Sequence, residues 1–142
     1  MVKVTGYNSI PVAMYKAILM MLLFVVSSSA IAEWVAIGTA IGSTYYANPN
    51  TIRKSGNMVK MWTLIDYNST QVGATGDKFL SLKFQEENDC KEEQRRLLYY
   101  SFHSENMGRG DVVYIEQKPN KNWKPVPPES MGESLWKFAC GK

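Results

Sequence analysis

The chain has only two cysteines, Cys90 and Cys140, and what a chain of this size can fold into depends on whether they are joined. In an oxidising compartment two lone cysteines pair by default. Closing a loop of that length stabilises a fold by roughly 4 kcal/mol on the chain-entropy account. The rival readings are a redox pair or half a metal site. Neither has support, because there is no C-x-x-C, and the single His103 with two distant cysteines cannot supply four zinc ligands.

Whether the compartment is oxidising is decided near the start of the chain, by "MMLLFVVSSSAIAEW". The apolar run over residues 17–26 gives way at once to serines and alanines, so it is about half the ~20 apolar residues that a spanning helix needs. Lys3 and Lys16 precede it without an acid, and Ala30-Ile31-Ala32 has the small-x-small form of a signal peptidase site. These are the marks of a secretory signal peptide. Residues 1–32 are expected to be removed after Ala32, leaving Glu33 first in a domain of residues 33–142 with no membrane span. Met14 is a more typical signal start than Met1. No cysteine follows the apolar run where a lipoprotein would be acylated.

Without the leader's two lysines the charge is nearly balanced, 14 cationic against 13 acidic residues, or +1. A nucleic-acid binder would carry a basic excess and an acidic-lipid binder a polybasic cluster, so neither partner is implied. One ordinary domain with a modest core is the expected size.

Along residues 33–142, extended segments alternate with turn chemistry. A short strand over residues 34–37 precedes three further extended pieces between residues 43 and 68, with turn residues at Asn48-Pro49-Asn50 and Ser55-Gly56-Asn57. Residues 58–67 are apolar on both faces, with Val59, Met61, Ile65 and Tyr67 against Met58, Trp62 and Leu64. Such a strand wants cover on both sides and belongs in the middle of a sheet. Residues 68–78 read as a polar loop. Leu80, Leu82 and Phe84 alternate with Ser81, Lys83 and Gln85 in a half-buried strand. Residues 96–104 and 111–118 read as a hairpin across Met107-Gly108-Arg109-Gly110.

The period changes at the end of the chain. Ser130 and Glu133 have the S-x-x-E spacing of a capping box, and Met131, Leu135, Phe138 and Ala139 then fall on one stripe of an amphipathic helix. Gly141 sits where helices often end. The expected architecture is α+β: an antiparallel sheet of about five to six strands, a C-terminal helix packed on it, and a Cys90–Cys140 staple joining the helix to the loop ahead of the residue 96–104 strand.

Catalytic signatures are absent: no G-x-S-x-G, no phosphate-binding loop, no H-E-x-x-H and no calcium loop. His103 is the only imidazole; on the predicted strand it shares a face with Leu97, Tyr99 and Ser101, and a surface or packing role suits it better than catalysis. The acids Glu86, Glu87, Asp89, Glu92 and Glu93 are interleaved with Lys91, Arg95 and Arg96, which reads as a solvated mixed-charge surface rather than two carboxylates across a cleft. Tyr45, Tyr46, Trp62, Tyr99 and Tyr100 could form a binding platform, although in a small β-rich domain aromatics more often serve the core and cross-strand pairs. No cofactor, no metal and no enzymatic activity are expected.

The segments "TYYANPNTIRKSGNMVKMWTLIDY", "SLKFQEENDCKEEQRR", "MGRGDVVY" and "PVPPESMGESLWKFACGK", with the order Trp62, Asp66, Cys90, Arg96, Gly110, Trp136, Cys140, resemble the surface-adhesin protein E family of Gram-negative bacteria. The resemblance implies a secreted domain with a curved antiparallel sheet, a C-terminal helix and a disulfide. It also implies non-catalytic binding of a protein partner, such as host extracellular matrix. The family's adhesin is displayed as a lipoprotein, whereas this chain lacks the cysteine for that, so periplasm and cell surface both remain open. Lys83, Lys91, Arg95 and Arg96 near the bridge are the candidate partner-binding residues, since rim charges steer encounter with acidic partners. The same residues on a strand edge would discourage aggregation. A homodimer through a sheet edge is open too. The alternative class is a small periplasmic ligand-binding protein or enzyme, which would show a concave pocket where His103 or the acids converge.

Overall fold

The computed structural model describes residues 10–16, 34–118 and 122–142. Residues 12–16 are helical; the apolar run and Ala30-Ile31-Ala32, the expected cleavage site, lie outside the described residues. The remainder is an antiparallel meander of β1 (Val35–Ala40), β2 (Ser43–Ser55), β3 (Met58–Val72), β4 (Lys78–Asp89), β5 (Gln94–His103) and β6 (Val112–Glu116). They lie side by side in chain order, and a two-residue strand, β7 (Lys124–Pro125), pairs with the start of β5. One helix, α1 (Met131–Cys140), closes the chain.

β3 lies between β2 and β4 in the interior of the sheet, as its two apolar faces require. Its partner β2 corrects the expectation of three short extended pieces: residues 43–72 form two long strands. Gly56-Asn57 makes the reversal, with Gly56 at φ +60°, the sign a type II′ hairpin turn needs at its first central residue. Asn48-Pro49-Asn50 does not reverse the chain. It forms a bulge in β2, where the Asn48 side chain accepts from the Asn50 amide and the Thr51 hydroxyl donates to the Asn48 carbonyl while accepting from the Trp62 amide. The turn-forming residues satisfy local backbone groups inside a continuous strand.

The expected polar loop over residues 68–78 is also shorter, because β3 runs on to Val72 and only residues 73–77 connect it to β4. Those last β3 residues are largely exposed, so no apolar alternation marks them as strand.

Helix α1 begins as the spacing predicts. Ser130 Oγ accepts from the Glu133 amide, the Glu133 carboxylate accepts from the amide of Glu129, one residue ahead of the cap, and Gly141 ends the helix in the left-handed region at φ +68°. Leu135 and Ala139 pack into a core with Ala47, Val59, Met61 and Phe84. The Cys90–Cys140 bridge is formed, and beside it Trp136 Nε1 donates to the Asp89 carbonyl and Lys142 Nζ to the Cys90 carbonyl. Three bonds therefore hold the end of α1 against the β4–β5 turn.

Candidate functional site

The alternation of β-strand side chains gives the sheet two faces, and α1 covers part of one. On that helix-side face lies a cavity of about 470 Å³ whose wall includes Ile65, Leu82, Leu97, Phe102, Met131 and Leu135. Beyond it the face continues as a chain of rings: Tyr67 edge-on to Phe79, Phe79 stacked on Phe102 at 4.1 Å between centroids, then Tyr100 and Tyr114. Glu86 and Arg95 are the charged residues in the cavity wall. Arg95 Nη1 lies 3.2 Å from each carboxylate oxygen of Glu86. Burial raises the Glu86 pKa above the ordinary carboxylate value, and the Arg95 charge and hydrogen bond pull it partly back.

The opposite face has a different make-up. A hollow of about 760 Å³ is lined by Lys60, Gln85, Glu87, Arg96, Leu98, Tyr99 and Gln117. Strand register sets Trp62, Gln85 and Tyr99 in one row across β3, β4 and β5, with Trp62 and Tyr99 edge to face at 5.1 Å. In the neighbouring row Lys60, Glu87 and Arg96 align. Arg96 holds the Glu87 carboxylate through Nε at 2.7 Å, and its guanidinium lies over the Trp123 ring at 4.5 Å.

Further along the same face the connection after β5 folds back over the sheet. Asp66 accepts from the Met107 amide and the Asn106 side chain, while Ser81 Oγ donates to the Glu105 carbonyl and accepts from the Gly108 amide. Underneath, His103 and Ser101 are buried and in contact, with Ser101 Oγ 2.9 Å from His103 Nε2. Burial, and then the Lys83 charge, push the His103 pKa below the ordinary imidazole value. This serine–histidine contact lies beneath the covering segment, and His103 makes a packing contact. His103 does share a face with Ser101 and Tyr99 as expected, but Leu97 does not: the bulge opposite Gln85 and Glu86 turns Leu97 to the helix side.

The four candidate basic residues are not brought together. Lys83 lies on the face opposite α1 against Gly108, and burial lowers its pKa. Lys91 is exposed in the β4–β5 turn beside Glu92. Arg95 rims the helix-side cavity and Arg96 the opposite hollow, and these two alone of the four also line a small common hollow with Glu86 and Lys124. The acids around Cys90 are likewise not one solvated surface. Glu86 and Glu87 are largely shielded members of cross-strand ion pairs on opposite faces, and Asp89 Oδ1 accepts from the Lys91 and Glu92 amides to shape the turn. Of the five aromatics, Tyr45 lines the helix-side cavity with Tyr100, while Trp62 and Tyr99 serve the other face. No sequence pattern marks Leu98 and Gln117, which line the hollow, or Trp123, whose ring lies under the Arg96 guanidinium.

The family model for surface-adhesin protein E matches residues 34–141. Among solved structures, one of Haemophilus influenzae protein E is similar at 13% identity and a TM-score of 0.62, covering 80% of this chain and 88% of that one. A crystal structure of protein E from non-typeable Haemophilus influenzae matches at 12% identity and a TM-score of 0.58, covering 80% and 79%, and a second crystal form at 14% and 0.59, covering 78% and 97%. At such identities the likeness is one of fold. No curated protein sequence matches the chain.

Proposed function

Because the chain belongs to the surface-adhesin protein E family, we propose that it is an exported, non-enzymatic binding module that docks a protein partner on the sheet face away from α1. The observation that carries this reading is the hollow beside Trp62, walled by Tyr99 and Arg96. Tryptophan, tyrosine and arginine dominate binding energy at protein interfaces, particularly where they cluster in a partly desolvated pocket. Lys60, Glu87 and Arg96 leave the hollow mixed in charge, which suits a folded protein surface better than a polyanion.

Export is supported by the leader pattern of residues 1–32 and by the Cys90–Cys140 bridge, a bond that persists in oxidising compartments. In this reading Arg96 is the member of the basic quartet that contacts the partner, and Lys91 contributes to encounter only. Pairing of two copies along β1, an outer strand of the sheet whose residues do not line the hollow, would leave the hollow open.

The test has two parts. Protease shaving of intact host cells, with sequencing of the mature N-terminus, is expected to give Glu33 first; degradation on intact cells favours host matrix as the partner, and protection until the outer membrane is breached favours a periplasmic protein. A retained leader would contradict export. Against immobilised extracellular matrix, or the periplasmic partner if the protein is protected, Trp62→Ala and Arg96→Gln should each weaken binding about thirtyfold, the scale of an interface hot spot. Lys91→Ala should stay within about twofold. Equal, small effects from all three would overturn the assignment of the face.

A further inference from the structure

We propose that the helix-side cavity is a second, independent site that takes a single-chain amphipath, an unbranched acyl chain with an anionic head. The chain would lie between α1 and the sheet with its head at Arg95. The cavity, at about 470 Å³, is within the roughly 300–1,000 Å³ range of small-molecule sites, and its mostly apolar wall with a few convergent polar groups has the usual make-up of one.

A small neighbouring hollow of about 160 Å³ gives the direction of the ligand. It shares Glu86, Arg95 and Leu97 with the cavity and adds Arg96, Asn122 and Lys124; Arg95 is paired with Glu86 and Arg96 with Glu87, so Lys124 leaves the hollow with a net positive charge. An apolar chamber and a cationic one with a common wall match a ligand that is apolar at one end and anionic at the other. Arg95 stands between them. Its Nη1 is engaged by Glu86, and among the described residues its other guanidinium nitrogens make no hydrogen bond, leaving donors for a carboxylate or phosphate.

Gly132 makes that position available. A Cβ there would come within 2.8 Å of the Arg95 guanidinium in its present position and push it outward, so glycine in the first turn of α1 lets the guanidinium lie where it does. A neutral apolar ligand would leave the cationic hollow unused, and a cationic one would be repelled by it.

The experiment is calorimetric titration of the purified protein with three probes of equal chain length: dodecanoate, dodecanoyl-lysophosphatidylglycerol and 1-dodecanol. Saturable one-site binding of at least one anionic probe is expected, about tenfold or more tighter than the alcohol. The tighter anion identifies the head as carboxylate or phosphodiester. Leu82→Trp, which fills the chamber, should weaken every probe more than about tenfold. Lys124→Gln, at an exposed position that leaves folding untouched, should weaken the anions about threefold and spare the alcohol. Trp62→Ala should leave all three within about twofold, so failure of the partner-docking assignment and failure of this one can be told apart. Absence of saturable binding, affinity indifferent to Leu82→Trp in folded protein, or equal affinity for dodecanoate and dodecanol would overturn the proposal.

Discussion

The two faces of the sheet are built from the same short stretches of sequence and end up with opposite characters. Glu86 and Glu87 are neighbours, as are Arg95 and Arg96, and antiparallel pairing joins Glu86 to Arg95 and Glu87 to Arg96. Because successive strand residues point to opposite sides, the first pair is delivered beneath α1 beside an apolar cavity and the second to an open aromatic hollow. Identical chemistry thereby lines an apolar cavity on one side, proposed for an amphipath, and an aromatic hollow on the other, proposed for a protein partner. What differs is the company: α1, stapled at Cys140, on one face, and Trp62, Tyr99 and Trp123 on the other.

The comparison breaks most readily at the staple. Reducing the Cys90–Cys140 bridge, or replacing both cysteines by serine, should cost about 4 kcal/mol in urea unfolding and loosen the helix-side face first. Next, Leu135→Ala, at a residue only 2% exposed in the core beneath α1, should cost about 3 kcal/mol by equilibrium unfolding. The two ion pairs sharpen the comparison. Their side chains are shielded to nearly the same degree, so Arg95→Gln and Arg96→Gln should destabilise similarly, by about 2 kcal/mol each, mainly by leaving a shielded carboxylate unpaired. Arg95→Gln should impair anionic amphipath binding and Arg96→Gln partner binding.

The smallest effect is on pH dependence, and its sign differs between the faces. His103, with its folded pKa depressed by burial and Lys83, contributes stability above the ordinary imidazole value near 6.5 that is lost as pH falls through and below it. Glu86, with its folded pKa raised by burial, contributes stability below the ordinary value near 4.5 that is lost as pH rises through its folded pKa. In unfolding curves taken across this range, His103→Gln should flatten the loss of stability below the ordinary imidazole value and leave the limb above the ordinary carboxylate value to Glu86.

The features legible in the sequence were the ones set by local chemistry or by one period. The Ser130 cap, the Met131–Leu135–Ala139 stripe, the Gly56-Asn57 reversal and the interior position of β3 need only neighbours a few residues apart. The bulges were illegible because their causes are distant: the break at Asn48 in β2 is held by Thr51 bonding to the Trp62 amide of β3. Each bulge shifts register, and register alone decides which face a residue serves. That is why Leu97 moved to the helix side, whereas Glu86 and Glu87, like Arg95 and Arg96, part simply because neighbouring strand residues alternate between faces. The hollow itself joins residues from three adjacent strands with Gln117, and neither composition nor motif spacing signals such a convergence.

The central claim is that partner contact belongs to the face away from α1, and site-specific photo-crosslinking in the native host tests it directly. A benzophenone amino acid at position 98, in the wall of the hollow, should yield one discrete protein adduct that disappears when Arg96→Gln is added. The same probe at position 137, on the half-exposed outer side of α1, should yield none. Adducts of one pattern from both positions, or from 137 alone, would contradict the account.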